Sequence, residues 1–257
     1  MKNLRSGLII ILLFCSACSL NEAEKEVEQQ ELVVSAASSL TVVLDELDNA
    51  FEQENPDIHL VINYGGSGTL VNQLKQGAPG DMLLLASQDW MDRAIGANVV
   101  EREEEFPLLE NRLVLAGAPH TDIRQLEDLL DSTISKVAIG DPSSVPVGAY
   151  AQQALQAKGI WEEIRGKAVF AKNARQAAMY IASGDVGAGI VFESDLKAFP
   201  KLKLLQIISQ ELHEPIIYPA AITKQTSNKE AAERFLAFLK TDEAAIVFEQ
   251  YGFRLVK

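Results

Sequence analysis

Short apolar runs alternate with amphipathic segments along residues 31–257, and this alternation restricts the fold more than any other feature. Leu32-Val33-Val34 reads as a strand, and the apolar residues that follow it share one helical face, namely Leu40, Val43, Leu44, Leu47 and Phe51. The same order of strand and helix recurs to the end of the chain. It predicts an α/β protein with largely parallel sheets. With 257 residues, 47% of them hydrophobic, the chain is long enough to form two lobes.

Four strand-to-helix corners each place one residue at the predicted start of a helix, and these residues are Ser39, Ser67, Val147 and Ala174. Backbone N–H groups in the first turn of a helix have no partner inside it, so they are free to bind an anion. Ser39 occupies the predicted N-cap position, and capping its own helix would explain this serine without any ligand. Ligands of open α/β sheets gather at the carboxyl ends of strands, where all four corners are predicted to lie. Convergence of the corners would create a site for a dianion held by neutral donors.

Composition and motifs exclude several other functions. The net charge of −13 argues against binding to nucleic acid, whose phosphates require Lys and Arg. The loop around Ser67 lacks the second glycine of the G-x-S-x-G nucleophile elbow. The three histidines, His59, His120 and His213, are far apart in sequence. We therefore predict neither a metal-ion site nor a histidine base for a serine nucleophile. An exported hydrolase that uses Ser39 or Ser67 is kept as an alternative.

The N-terminus is typical of an exported protein. Residues 1–18 carry two basic residues and an apolar run that is too short for a permanent membrane span. Small residues precede Cys18, as in bacterial lipoprotein signals, where cleavage exposes the cysteine for lipidation; ordinary cleavage nearby is the alternative. Residues 19–31 are polar and acidic, which indicates a flexible tether. No cysteine follows Cys18, so we expect no disulfide in the exported part.

A series of further motifs occurs in a characteristic order, comprising the stretch around Ser39, residues 64–69, 77–81, 140–148, 173–175 and 189–192, and Tyr251-Gly252-Phe253. This series resembles that of the periplasmic-type molybdate-binding proteins. The resemblance implies a two-lobed periplasmic-binding-protein fold of type II, each lobe a mostly parallel sheet flanked by helices. Lobe 1 would comprise residues 32–111 and 219–257, and lobe 2 residues 112–218. The chain would cross between the lobes near residues 111–116 and 218–220.

The resemblance also implies how a ligand is held. Ser39 and Ser67 would supply hydroxyls and amides from lobe 1, and Val147 and Ala174 would supply amides from lobe 2. Many members of the family have a tyrosine at the position of Phe192, so this chain lacks one donor, a loss of roughly 1.5–3 kcal/mol for a charged ligand. Ser38 stands where the family usually has alanine and is a candidate for a compensating hydroxyl.

By this resemblance the chain is expected to be a receptor and not an enzyme. It would bind molybdate, and also tungstate, for an ABC permease and its ATPase, without a cofactor and without ligands for a free metal ion. We expect a monomer held at the outer face of the cell membrane by the lipid on Cys18 alone. A receptor for sulfate or another small oxyanion is the second interpretation.

Overall fold

The computed structural model describes residues 29–256. The predicted signal peptide, Cys18 and residues 19–28 of the tether lie outside this range. The strands are β1 (Gln30–Ala37), β2 (Ile58–Gly65), β3 (Met82–Leu84), β4 (Val100–Glu110), β5 (Leu113–Gly117), β6 (Val137–Gly140), β7 (Ala168–Ala171), β8 (Ala188–Phe192), β9 (Lys203–Ile207), β10 (Ile217–Thr223) and β11 (Arg254–Leu255). The helices are α1 (Thr41–Glu54), α2 (Ser67–Lys75), α3 (Gln88–Gly96), α4 (Pro146–Ala157), α5 (Trp161–Arg165), α6 (Ala174–Ala182), α7 (Glu193–Ala198), α8 (Lys229–Phe238) and α9 (Asp242–Gln250).

The strands form two sheets, one in each lobe, which confirms the predicted two-lobed α/β class. The first sheet has the order β11-β4-β10-β3-β1-β2, and the second has the order β7-β6-β8-β5-β9. Parallel pairing is confined to β1 with β2 and β3, and to β6 with β7 and β8. β4, β5, β9, β10 and β11 pair in antiparallel fashion. Both sheets are therefore mixed, and the expectation of mostly parallel sheets is wrong. In the first sheet β10 and β11 run against the other four strands, and in the second sheet β5 alone runs against the others.

The chain crosses between the two sheets twice. The first crossing is short, since β4 ends at Glu110 and β5 begins at Leu113. The second lies between Ile207, the end of β9, and Ile217, the start of β10. Asn111 N–H donates to the Ile216 carbonyl at 3.2 Å, so the two crossings lie side by side. Tyr218 pairs with Leu109 in the first sheet. The exact division of the chain into lobes at 111/112 and 218/219 stays a proposal.

Two helix starts, those of α8 and α9, show where a local capping signal in the sequence is used and where it is not. The sequence predicts an N-cap at Thr241, and the structure confirms it, because the Thr241 side chain accepts the Ala244 N–H at 3.2 Å. The sequence Ser227-Asn228-Lys229-Glu230 also predicts a capping box, and this prediction is wrong. Asn228 precedes α8 without a side-chain cap, and its amide instead donates to the Glu31 carbonyl at 2.9 Å. A tertiary contact with β1 thus replaces the local one.

Within residues 29–256, no helix is both long enough and apolar enough to traverse a bilayer.

Candidate ligand-binding cleft

The four predicted corners come together where the two lobes meet. The Gly68 N–H, in the first turn of α2, donates to the carbonyl of Ser144, just before α4, at 3.1 Å. The Arg175 N–H, in the first turn of α6, lies 3.5 Å from Ser38 Oγ, directly after β1. Each of these two contacts therefore joins a corner of one lobe to a helix start of the other.

Ser39 is not the N-cap that the sequence predicted. A 3₁₀ turn, Ser38–Leu40, precedes α1, and neither this turn nor α1 has a side-chain cap. The Thr41 hydroxyl donates to the Ser38 carbonyl at 2.8 Å and stabilises the tight turn. Ser39 Oγ instead lies 2.9 Å from the hydroxyl of Tyr218, and the Ser39 side chain is partly exposed. Its hydroxyl is thus committed to a tertiary contact at the cleft.

Ser67 is the first residue of α2 and is fully buried. Its Oγ accepts the Ala86 N–H at 3.1 Å, so the hydroxyl proton remains available for donation. The preceding Gly66 explains how the lobes approach so closely here. A Cβ at Gly66 would lie 2.8 Å from the carbonyl oxygen of Lys172 in the other lobe. A side chain at this position would push the corner of Ser67 away from the start of α6.

Val147 and Ala174 present backbone amides from the second lobe. Pro146 is the first residue of α4, and the N–H groups of Gly148 and Ala149 donate back to the Val145 carbonyl. The Val147 N–H has no acceptor among residues 29–256. Asn173 is the N-cap of α6, and its side chain accepts the Gln176 N–H at 2.8 Å. The Ala174 N–H likewise has no acceptor within the described residues, so both helix starts offer a free amide donor.

Phe192 is almost fully buried at the end of β8 and packs between two tyrosine rings. Its ring centroid lies 6.4 Å from that of Tyr150 and 5.8 Å from that of Tyr218. The Phe192 N–H donates to the carboxylate of Asp195 at 3.0 Å. The Phe192 side chain is apolar and has no hydroxyl to donate at this position.

Sequence reasoning missed Tyr218 and its partner Asn111. The Asn111 side-chain amide donates to the Tyr218 hydroxyl at 3.2 Å and to Ser194 Oγ at 2.9 Å. Because 179 positions separate Tyr218 from Ser39, no local spacing could connect them. The available signal was a tyrosine within the apolar run 216–222, since a buried phenol requires a polar partner.

Burial shifts the pKa values of two ionisable side chains next to the cleft, Asp195 and Tyr218. It raises the pKa of the Asp195 carboxyl to about 7, with the Phe192 N–H and the Arg175 cation opposing the shift. Burial also raises the pKa of Tyr218 well above its ordinary value, although hydrogen bonds with Ser39 and Asn111 oppose the shift. The phenol of Tyr218 therefore keeps its proton at neutral pH.

The described residues offer little support for hydrolytic or metal chemistry. No histidine in residues 29–256 hydrogen-bonds to Ser39 or Ser67; His59 contacts Glu52 and His213 donates to the Glu214 carbonyl, both at 2.7 Å. Within the same range, no group of three or more His, Cys, Asp or Glu side chains is arranged to hold a metal ion. Among the described residues, neither serine is hydrogen-bonded to a histidine that could act as its base. The arrangement is suited to binding through hydroxyl and amide donors.

Comparison with known proteins places the chain among binding proteins. The sequence profile described as bacterial extracellular solute-binding protein matches residues 32–254. YvgL of Bacillus subtilis, provisionally described as an ABC transporter substrate-binding lipoprotein, is 32% identical over 94% of this chain and 93% of its own length. The molybdate-binding protein ModA of Escherichia coli is 30% identical over 89% of this chain and 90% of its own length. The periplasmic molybdate-binding protein of Azotobacter vinelandii shares the fold, with a TM-score of 0.79 and 23% identity, over 88% of this chain and 100% of that protein.

Proposed function

Since the chain belongs to the bacterial extracellular solute-binding protein family, we propose that it is a receptor for molybdate, and also for tungstate, that serves an ABC importer. The receptor delivers the oxyanion to a permease whose ATPase drives import. The relatives described above are substrate-binding transport proteins and not enzymes, and the E. coli relative is a molybdate-binding protein. Lipidation at Cys18 would keep the receptor, as a monomer, at the outer face of the membrane.

One observation carries the proposal: two hydroxyl-bearing corners of one lobe face two helix starts of the other. Ser39 and Ser67 supply hydroxyls, and Val147 and Ala174 supply amides that have no acceptor in residues 29–256. Neutral donors and helix dipoles stabilise a dianion without a neighbouring cation. Phe192 forms the apolar wall of this site, and the Ser38 hydroxyl is a further ligand in the proposal.

Thermal unfolding with added oxyanions tests the function directly. Molybdate or tungstate at about 100 times its dissociation constant should raise the free energy of unfolding of the purified protein by roughly 2.7 kcal/mol, because it binds only the folded state. Phosphate at the same concentration serves as the control anion. Absence of a shift with both molybdate and tungstate would contradict the proposal. An equal shift with sulfate would favour a general receptor for small oxyanions.

Ser67→Ala tests the first-lobe corner. The substitution removes a hydroxyl donor to a charged ligand, so we expect molybdate affinity to fall by about 1.5–3 kcal/mol, or roughly one to two decades in Kd. Calorimetric titration measures this change. The matched control is Ser132→Ala, at an exposed serine of the second lobe, which should leave Kd unchanged. Equal affinities of the Ser67 and Ser132 variants would remove Ser67 from the site.

A further inference from the structure

We propose that Asn111 and Tyr218 are positioning residues that fix the direction of the Ser39 hydroxyl, so that Ser39 donates its proton into the cleft. The inference rests on the proposed function and concerns the specificity of the same site. Neither residue is among the ligands that we assign to the oxyanion. Their role follows from the order in which donors and acceptors are used along one buried chain of hydrogen bonds.

The chain of hydrogen bonds begins at Asn111, which is 5% exposed and lies at the first crossing between the sheets. Its carbonyl Oδ1 accepts the Arg112 N–H at 2.8 Å. This contact fixes which end of the amide is oxygen and which is nitrogen. Nδ2 therefore faces Ser194 Oγ at 2.9 Å and the Tyr218 hydroxyl at 3.2 Å, and it donates one proton to each.

The hydrogen bond from Asn111 determines in which direction the Tyr218 hydroxyl donates. Tyr218 is 1% exposed, and its oxygen accepts from Asn111. The single phenol proton then has one remaining acceptor among the described residues, Ser39 Oγ at 2.9 Å. A buried hydroxyl proton without an acceptor costs free energy, so the phenol donates to Ser39 rather than accepting from it. Because burial raises its pKa well above the ordinary value, Tyr218 remains protonated and keeps this direction.

Ser39 therefore accepts from Tyr218 and has its own proton left to donate. Ser67 has the same polarity, since its Oγ accepts the Ala86 N–H at 3.1 Å. Both hydroxyls thus keep a proton to donate, and with the amides from α4 and α6 the cleft offers donors to an oxyanion. Molybdate, tungstate and sulfate carry no proton at neutral pH and accept from every donor. Hydrogenphosphate carries a proton that would face another donor, which disfavours it.

Asn111→Asp reverses the direction of the chain of hydrogen bonds and is the decisive variant. An aspartate accepts the Tyr218 proton, so Ser39 donates to Tyr218 and turns a lone pair towards the ligand. We expect molybdate affinity to fall by about tenfold or more. The added negative charge weakens all dianions, so the readout is the ratio of the Kd values for hydrogenphosphate and molybdate. This ratio should fall in the variant.

Tyr218→Phe and Asn111→Ala complete the series. Removing the phenol leaves Ser39 free to rotate, and we expect a loss of molybdate affinity of about three- to tenfold. Asn111→Ala should change the phosphate-to-molybdate ratio less than Asn111→Asp does. A purely structural role predicts the reverse order, because alanine leaves the larger cavity. Tyr251→Phe is the matched control, since it removes a hydroxyl that donates to Glu46 at 2.6 Å, and Kd should stay unchanged.

The outcomes separate this inference from the proposed function. If the wild-type protein binds neither molybdate nor tungstate, the function is wrong. If it binds molybdate but Tyr218→Phe and Asn111→Asp preserve both the affinity and the ratio, the positioning role is wrong and the function stands. Thermal unfolding of each variant shows whether it is folded, and Tyr218→Phe, which is nearly isosteric, provides the test should Asn111→Asp fail to fold.

Discussion

Gly148→Ala is expected to lower the free energy of unfolding by about 3 kcal/mol or more, an effect of severe overpacking. A Cβ at Gly148 would overlap the carbonyl of Gly140, which ends β6, and would lie 3.0 Å from the backbone of Asp141. These neighbours are backbone atoms, so no side-chain rotation can relieve the overlap. The start of α4 would have to move away from the sheet. Because Val147 precedes Gly148 directly, we also expect weaker oxyanion binding.

The sign of this effect is informative, since alanine in a helix is intrinsically favoured over glycine by about 1 kcal/mol. Gly96→Ala provides the control. Gly96 ends α3, and a Cβ there would meet no atom within 4 Å. Denaturant unfolding should show Gly96→Ala at or above the stability of the wild-type protein and Gly148→Ala well below it. Equal stability of the two variants would mean that α4 does not press against β6 as closely as described.

Asp195→Asn is expected to remove a large part of the pH dependence of stability between about pH 4 and pH 7. The pKa of Asp195 is raised from 3.8 to about 7 by burial, so the folded protein holds this proton over a range in which the unfolded chain releases it. Stability from Asp195 is thus fully present below pH 4 and is lost as pH rises through 7. The loss is on the order of 3–4 kcal/mol over the window.

Urea unfolding at closely spaced pH values, without added oxyanion, measures this dependence. The side-chain amide that Asp195→Asn introduces can still accept the Phe192 N–H through its oxygen, so the start of α7 should be retained. Asp48 has a pKa raised to about 6 and contributes with the same sign, mainly through burial and the neighbouring Glu52. Some slope should therefore remain in Asp195→Asn. An unchanged slope would show that Asp195 ionises as readily in the folded protein as in the unfolded chain.

The sequence predicts the helices and buried strands well, because their apolar periodicity is strong. It does not predict β4, the two-residue strand β11 or the short helix α7. The 11 residues of β4 include five successive charged residues, at positions 101–105, and Pro107, so they show no alternating apolar pattern. In the structure these carboxylates find cations from other elements, such as Lys224 for Glu101 and Lys229 for Glu104, at 3.1 and 2.7 Å. Pairing partners of this kind depend on tertiary structure and leave no local signal.

In the candidate site, too, the sequence predicts the features that depend on local pattern and misses those that depend on tertiary contacts. Helix starts can be recognised locally, so Ser67, Val147 and Ala174 were predicted at the correct ends of their elements. The role of Ser39 as a cap was wrong, because its hydroxyl is directed by a contact with Tyr218, a residue distant in sequence. The direction of the hydrogen bonds within the cleft depends on Asn111, and no spacing of residues in the sequence could predict that direction.

The position of β10 has a consequence for the order in which the protein folds. β10 lies between β4 and β3, so the first sheet stays divided into two parts until the chain has passed through the second lobe and returned. The second sheet uses only residues 113–207, one continuous segment, and it can form without waiting for later residues. Contacts of long sequence separation form slowly because they require closure of a long loop. We therefore expect an exported chain to complete the second lobe first, and the anion cleft to appear only in the last folding step.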